Sequence, residues 1–431
     1  MNQTGWLANY RVHLFVVTSL VTLIVSLTFF DFRFPGDGAY YHALSDHLLS
    51  TGSLKDITVI PNVQVVTRQN GIVFFIASIK YIFGKFWWVA YIAVVSVLWA
   101  VFVTKMHATV RVIIKETNFV RFFSLSAIIS YIPLLHYSSI LSIGGFVNES
   151  IFLPIIWILF LDCFKILHSP DLFSKSQFFN ELEIGTILIG LFVVIFGVIF
   201  RIQSITFILA IFAGLAFCRH ISFRIFFAIC AVPLLVFLIL SHYQYSSTSD
   251  GLMAEVLSVR GFQFNNFLRF FSQLASPISL ISVSPSRGFL AGSFVSFGII
   301  CFASILCALG LFTVFKRSKA LCLIFSLLIL LNGLFLIVLP MHSERYDHLV
   351  TVPILLLYLY GLSYFRHSFS LRKIKILSFL LALGSMGLVA GYGANYFKGS
   401  DSSTTFFKIR GYVSSLERLK GRNNFIIYSE E

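Results

Sequence analysis

The sequence predicts an all-α polytopic membrane protein, and three observations support this fold class. Hydrophobic residues make up 58% of the 431 residues and charged residues only 12%, whereas a soluble domain averages about 25% charged residues. Apolar segments of about 16–27 residues, long enough to cross the hydrocarbon core, recur along the chain. Because backbone N–H and C=O groups in lipid need partners within their own segment, we expect these segments to be helices.

The apolar segments indicate about eleven transmembrane helices. They lie at 12–30, 86–104, 119–136, 149–167, 184–200, 202–217, 225–241, 289–315, 321–339, 349–365 and 376–396. The first continues through Ser-Leu-Thr-Phe-Phe without a small-x-small cleavage site, so it is predicted to be a signal anchor. We therefore predict a transmembrane domain over 1–397 and a short extracytoplasmic tail over 398–431.

Lysine and arginine in the short connections predict the orientation, because cytoplasmic loops are enriched in both. One side of the membrane receives Arg11, the basic residues of 105–121, Arg219 and Arg224, the basic residues of 316–319, and those of 366–375. This distribution accounts for much of the net charge of +14, which is better explained by topology than by an anionic-lipid or phosphate site. Nucleic acid is not expected as a partner.

The run 71–84 is too short for a span and contains Lys80, so we expect a re-entrant or surface-lying helix. Residues 31–85 then form one extracytoplasmic loop. An amphipathic helix is predicted within it, ending at Gly52. Its apolar face carries Tyr41, Leu44, Leu48 and Leu49, and its polar face carries His42, Asp46 and Ser50.

Asp37 is the leading catalytic candidate, because it lies between two glycines after a proline, at the predicted membrane surface. A carboxylate there can accept a proton from a substrate, although an inert Pro-Gly-Asp-Gly turn would have the same sequence. Asp31 ranks second, as an orienting partner or as a ligand for a divalent cation such as Mg²⁺ or Mn²⁺. Tyr40 and Arg68 of the same loop are predicted to contact substrate or donor phosphate.

A polar cluster between two strong spans is the candidate phosphate-binding segment. An arginine there can clamp a phosphate through two hydrogen bonds, whereas a short solvated loop is the alternative. The cluster comprises His342, Glu344, Arg345, Tyr346 and His348.

Two further charged residues are candidate substrate contacts. Arg201 separates two apolar runs and needs an anionic partner, for which a phosphate would serve. Glu149 begins a predicted span, where it either stabilises the helix N-terminus or faces the same cavity as Asp37.

These motifs together resemble the GT-C superfamily of polytopic glycosyltransferases, which use polyprenyl- or dolichyl-phosphate sugars. The first outer loop carries an acid, a tyrosine and a helix ending near glycine, here GDGAYYHALSDHLLSTG, followed by a surface helix closing with Phe-Gly, here NGIVFFIASIKYIFG. The late segment HSERYDHLVTVPILLLYLYG is similar to motifs of mannosyltransferases and aminoarabinose-type transferases. The resemblance implies that Asp37 is the catalytic acid and that Arg345 contacts the lipid-phosphate donor.

The resemblance implies transfer of a sugar from a polyprenyl-phosphate donor to a glycan, lipid or protein acceptor on the extracytoplasmic face. The expected location is a bacterial inner membrane, with the active site facing the periplasm. A polysaccharide polymerase or ligase remains an alternative and would rely on Arg260, Arg269 and Arg287. A non-catalytic transporter of lipid-linked sugars would predict repeated halves with broken helices, and the sequence shows no such repeat.

Six cysteines occur in or beside apolar segments without a Cys-x-x-Cys pair. The sequence therefore predicts neither a disulfide framework nor a zinc site.

Overall fold

The computed structural model describes most of the apolar framework of the chain. The described ranges are 3–29, 37–52, 70–114, 125–136, 149–168, 204–217, 273–278, 293–338 and 348–364, with a few isolated positions between them. Every secondary-structure element within these ranges is helical, and they contain no strand. The described chain thus has the all-α architecture that the sequence predicts.

Ten α-helices and three short 3₁₀ helices are described. The α-helices are α1 (Gln3–Phe29), α2 (Asp37–Thr51), α3 (Asn70–Phe83), α4 (Trp87–Ile114), α5 (Leu125–Leu135), α6 (Glu149–His168), α7 (Ser204–Phe217), α8 (Ser293–Arg317), α9 (Lys319–Val338) and α10 (Thr351–Tyr364). The 3₁₀ helices are Gly84–Phe86, Gln273–Ile278 and His348–Val350.

Four helical stretches of the described chain are long and apolar enough to cross a bilayer. They are Tyr10–Leu27, Gly71–Ile114, Ile300–Arg317 and Lys319–Ile337. The predicted spans 184–200 and 376–396 lie outside the described residues, as does most of 225–241. These helices are those of a membrane protein, and the number of about eleven spans stays a prediction.

The stretch from Gly71 to Ile114 is a helical hairpin because the chain reverses at Gly84. This glycine has φ +52°, a conformation that side chains disfavour. The ring centroids of Phe75 and Tyr91 lie 6.0 Å apart, although sixteen residues of straight helix would separate them by about 24 Å. Helix α3 therefore folds back and packs against the start of α4.

Helices α4, α6 and α10 run parallel and are joined by two tryptophans. Trp99 of α4 donates its indole N–H to the carbonyl oxygen of Ser150 at 2.9 Å. Trp157 of α6 donates to the carbonyl oxygen of Leu349, just before α10, at 2.8 Å. The two indole rings themselves meet edge to face at 5.8 Å. The start of α6 is thereby fixed beside the first half of α4. The start of α10 is fixed beside the first half of α6.

Prolines explain why these carbonyl groups accept from side chains. In an α-helix the carbonyl of residue i accepts from the N–H of residue i+4, but proline has no N–H. Pro154 follows Ser150 by four residues, and Pro353 follows Leu349 by four. Tyr358 likewise donates to the carbonyl of Leu274, three residues before Pro277 in a 3₁₀ helix. Aromatic donors thus satisfy carbonyl groups that prolines leave without their usual partner.

Helices α8 and α10 cross at close range through two glycines. A Cβ atom on Gly310 would meet the carbonyl oxygen of Leu357 at 2.2 Å, and one on Gly361 would meet that of Leu306 at 2.4 Å. Small residues at such a crossing allow helix backbones to pack closely in lipid.

We expect Gly310→Ala to destabilise the protein by about 1–3 kcal/mol, because the new methyl group would press on backbone atoms that cannot move aside. Thermal unfolding in detergent measures this. Gly298→Ala on the same helix is the matched control, since a Cβ there meets nothing within 4 Å. That control should leave the melting temperature unchanged or raise it. Equal effects of both substitutions would refute the close crossing.

Candidate functional site

Few of the predicted site residues belong to the described part of the chain with their side chains. Glu149 does, whereas Asp37 and Tyr40 are described only by their place in the first turn of α2. The remaining candidates lie outside the described residues, and they are Asp31, Arg68, Arg201, His342, Glu344, Arg345 and Tyr346. The location of the candidate site therefore follows from the helices that flank these residues.

Asp37 is the first residue of α2. A carboxylate in the first turn of a helix is favoured by the unpaired N–H groups and the macrodipole at that end. The helix ends as the sequence predicts. Gly52 adopts φ +68°, and its N–H donates to the carbonyl oxygen of Leu48 at 2.9 Å, as expected of a C-terminal glycine.

One buried lysine attaches α2 to the hairpin. Lys80 of α3 is only 8% exposed. Its ammonium donates to the Asp46 carboxylate at 2.8 Å, to the Ser45 hydroxyl at 2.7 Å and to the His42 carbonyl oxygen at 3.2 Å. It also lies 5.0 Å from the ring of Trp87 at the start of α4. We call these five residues the Lys80 cluster.

The faces of α2 differ in part from the amphipathic pattern that the sequence predicts. Leu44 is buried as expected, but Ser45 beside it is also buried, and Leu49 is exposed. Ser45 turns toward the helix pair, where it accepts from the buried Lys80 ammonium. Asp46 also accepts from Lys80 but stays exposed to solvent, as the predicted polar face requires. A polar contact therefore decides the orientation of α2.

The Asp46 carboxylate is expected to keep α2 attached to Lys80 of α3 down to acidic pH. Partial burial raises its pKa, but hydrogen bonds from His42 and Lys80 and their positive charges outweigh burial and hold the pKa below the ordinary value of 3.8. A depressed carboxyl pKa stabilises the fold above the unfolded-state pKa, and this contribution disappears as pH falls through the folded-state value.

We therefore expect protease protection of α2 to stay constant from neutral pH down to about pH 4 and to fall below it. Limited proteolysis between residues 37 and 52 across a pH series measures this. Asp46→Asn is the control and should remove the acid-dependent step. A step of equal size in that variant would assign the transition to another group.

A second polar contact lies beneath the hairpin, where α4 meets α6. The hydroxyl groups of Tyr91 and Ser150 are 2.6 Å apart. Glu149 is the first residue of α6, is 4% exposed and interacts electrostatically with Tyr91. Its burial in the first turn of α6 is compatible with both predicted roles, stabilisation of the helix N-terminus and contact with substrate, so both stay predictions.

A third polar group surrounds His348, the last residue of the predicted phosphate-binding cluster and its one member among the described residues. Its ring nitrogens lie 2.5 Å from the Ser139 hydroxyl and 2.9 Å from the Thr351 hydroxyl. The His136 ring stacks on it at 3.8 Å, and the Trp157 ring meets it edge to face at 5.1 Å. His348 is fully buried with both nitrogens engaged, so it anchors the start of α10 and is not placed to exchange protons with a substrate.

The Lys80 cluster and the contact of Tyr91 with Ser150 lie toward one end of the helix bundle, which we call the Asp37 end. The His348 group lies deeper, beside Trp157 in the middle of α6. Helices α4, α6 and α10 all have their starts directed toward the Asp37 end. Two successive contacts along each pair show this, from Tyr91–Ser150 to Lys105–Asp162 and from Trp157–Leu349 to His168–Tyr360. The opposite, Arg11 end carries Arg11, Lys105, Arg111 and Lys165 around one cavity. Arg317 lies 5.5 Å from the ring of Tyr360 near the same place. The described residues thus place the buried acid Glu149 toward one end and a cluster of basic residues at the other.

Sequence reasoning missed most members of these polar groups. In the sequence Lys80 indicates only that 71–84 is not a span, and Ser45, Tyr91, Ser139 and Thr351 carry no motif that marks them. Polar residues within apolar helices are the available cue, since in lipid such side chains seek partners on other helices. Which partners they find depends on helix packing, which the sequence does not specify.

Among the described residues, no group of three or more His, Cys, Asp or Glu side chains is arranged to hold a metal ion. A divalent cation at Asp37 and Asp31 stays a prediction, because neither side chain is described. Comparison of the chain with models of protein families, with curated proteins and with solved structures finds no match.

Proposed function

We propose that the protein is a glycosyltransferase that moves a sugar from a polyprenyl-phosphate-linked donor to a glycan, lipid or protein acceptor at the Asp37 end. One observation carries the proposal. The helix that begins at Asp37 is attached at this end of the bundle, and the helical segment that begins at His348, directly after residues 342–346, has its start directed toward the same end. A carboxylate and a phosphate-binding arginine of one active site need such a common location.

The burial of Glu149 adds support. The acid Glu149, a further candidate besides Asp37 and Asp31, is buried at the start of α6. It lies next to Ser150, which contacts Tyr91 of the hairpin to which α2 is attached. Ionisable residues enclosed within membrane bundles commonly mark substrate pathways. The Lys80 cluster holds α2 in a defined position over this region, which matches the need of a catalytic group for a rigid support.

In the proposed reaction the Asp37 carboxylate accepts the proton of the acceptor hydroxyl. The acceptor oxygen forms a bond to the anomeric carbon while the bond from that carbon to the donor phosphate breaks. The phosphate leaves with the bonding electron pair, and Arg345 stabilises its charge through paired hydrogen bonds.

The basic Arg11 end is proposed to face the cytoplasm of a bacterium, by the positive-inside rule. The Asp37 end then faces the periplasm, where lipid-linked sugars and their acceptors are presented. Mass spectrometry of lipid-linked and surface glycans, compared with and without this protein, tests the function. We expect one glycan to lack a sugar and its precursor to accumulate in the absence of the protein. Identical glycan profiles would contradict a transferase.

We expect Arg345→Ala to weaken use of the donor by about 10- to 100-fold, because a charge-assisted contact to phosphate contributes roughly 1.5–3 kcal/mol. Steady-state transfer with purified variants and varied donor measures the change in KM and kcat. Arg224→Ala, at an exposed position of the described chain, is the control and should behave as wild type. Unchanged KM and kcat for Arg345→Ala would remove this residue from the site.

A further inference from the structure

The Arg11 end contains a cavity that the proposed reaction does not use. It has a volume of about 440 Å³ and lies between α1, α4 and α6. The described residues that line it include four cationic side chains, Arg11, Lys105, Arg111 and Lys165, and one carboxylate, Asp162. The formal charge of this described lining is therefore four minus one, or +3, with histidine taken as neutral.

Among the described residues of the lining, the single carboxylate is already engaged by a lysine. Both oxygens of Asp162 lie 2.5 Å from the Lys105 ammonium, which joins α4 to α6. His168 is also engaged, since its ring lies 2.8 Å from the Tyr360 hydroxyl. Positive charge from α1 and from the end of α6 therefore exceeds negative charge within the described lining.

An exposed apolar stripe begins on α1 next to the cavity-lining residue Arg11. Val12 directly follows Arg11 and is exposed, and the residues one helical turn apart along α1 continue the same face. The exposed residues of this stripe are Val12, Val16, Leu20, Leu23, Ile24 and Leu27. Val112, which lines the cavity itself, is exposed as well.

We infer that the cavity binds the phosphate headgroup of an anionic phospholipid, with an acyl chain lying along the apolar stripe of α1. A basic cavity between membrane helices suits a lipid phosphate, and arginine and lysine supply the charge-assisted donors. The adjoining stripe favours a lipid over a soluble phosphate. An acyl chain would bury apolar surface against the stripe, whereas a free phosphate has no apolar part to bury.

Delipidated full-length protein in neutral detergent tests the inference. Phosphatidylglycerol and phosphatidylcholine of identical acyl chains are titrated separately, and bound lipid is counted by native mass spectrometry together with the shift in melting temperature. We expect preferential retention of phosphatidylglycerol. Arg11→Gln and Lys165→Gln should each weaken its binding about fivefold, the effect of one cation near a membrane surface.

Lys85→Gln is the matched control, because Lys85 is an exposed cation at the Asp37 end. It should bind phosphatidylglycerol as wild type does. Arg11→Lys keeps the charge and should retain most of the affinity, which separates loss of charge from loss of folding. Melting temperatures of all variants without lipid identify any that fail to fold.

Three results would overturn the inference. Equal retention of both lipids would exclude recognition of the anionic headgroup. Unchanged phosphatidylglycerol binding by folded Arg11→Gln and Lys165→Gln would move the site elsewhere. Equal stabilisation by soluble glycerol phosphate would show that the cavity accepts free phosphate and that no lipid is needed. Binding that weakens as salt rises from 0.1 M to 1 M supports the inference, since screening shortens from about 10 Å to 3 Å.

Discussion

Replacement of Asp37 by asparagine is expected to abolish sugar transfer while the protein still inserts and folds. The amide keeps the size of the carboxylate and its place at the start of α2, but it cannot accept the acceptor's proton at neutral pH. Loss of a general base typically lowers the rate by about 10²- to 10⁴-fold. The measurement is the glycan that disappears in the absence of the protein, quantified in cells that carry the variant.

Asp56→Asn is the control for this experiment, because Asp56 belongs to the same predicted outer loop and has no proposed role. It should be tolerated. Asp37→Glu separates position from charge, and a partial rate is expected because the longer side chain carries the same base at a shifted position. Retained product in the Asp37→Asn strain would falsify the catalytic role of Asp37.

Replacement of Trp99 by phenylalanine is expected to destabilise the protein by about 2–4 kcal/mol. The substitution removes the indole N–H from the Ser150 carbonyl, and an unpaired buried acceptor costs about 1–3 kcal/mol. Loss of volume at a fully buried position adds to this cost. Equilibrium unfolding in mixed micelles measures the free energy.

Pro154→Ala provides the matched test, because alanine restores the backbone N–H that the Ser150 carbonyl normally receives. Trp99→Phe should therefore cost less in the Pro154→Ala background, with a coupling free energy of about 0.5–3 kcal/mol. Trp157→Phe with Pro353→Ala should behave in the same way. The mismatched pair of Trp99→Phe with Pro353→Ala should be additive, and strong coupling in that pair would reject the proline explanation.

The sequence predicts those parts of the structure that depend on hydrophobic length and on local signals. Helices α8 and α9 coincide closely with the predicted spans 289–315 and 321–339, since an apolar run of spanning length is informative in itself. The end of α2 at Gly52 follows from the conformational freedom of glycine.

The sequence does not predict contacts between distant helices. Nothing near Lys80 indicates that Ser45 and Asp46, more than thirty residues earlier, will surround its ammonium. The proline positions do indicate carbonyl groups that need a donor, but not that Trp99 and Trp157 will supply it. Such pairs are set by how the helices pack, and packing in lipid follows close fit rather than a periodic pattern.

The turn at Gly84 has a consequence for how the protein responds to its bilayer. Tyr81, Ile82, Phe83 and Phe86 are exposed at the tip of the hairpin, and tyrosine is enriched at the level of the lipid headgroups in membrane proteins. Because the Lys80 cluster ties α2 to the same tip, we expect the headgroup level to set the height of α2. The length of the lipid acyl chains is therefore expected to change how deeply the hairpin and α2 sit in the bilayer, because hydrophobic mismatch shifts the position of membrane helices.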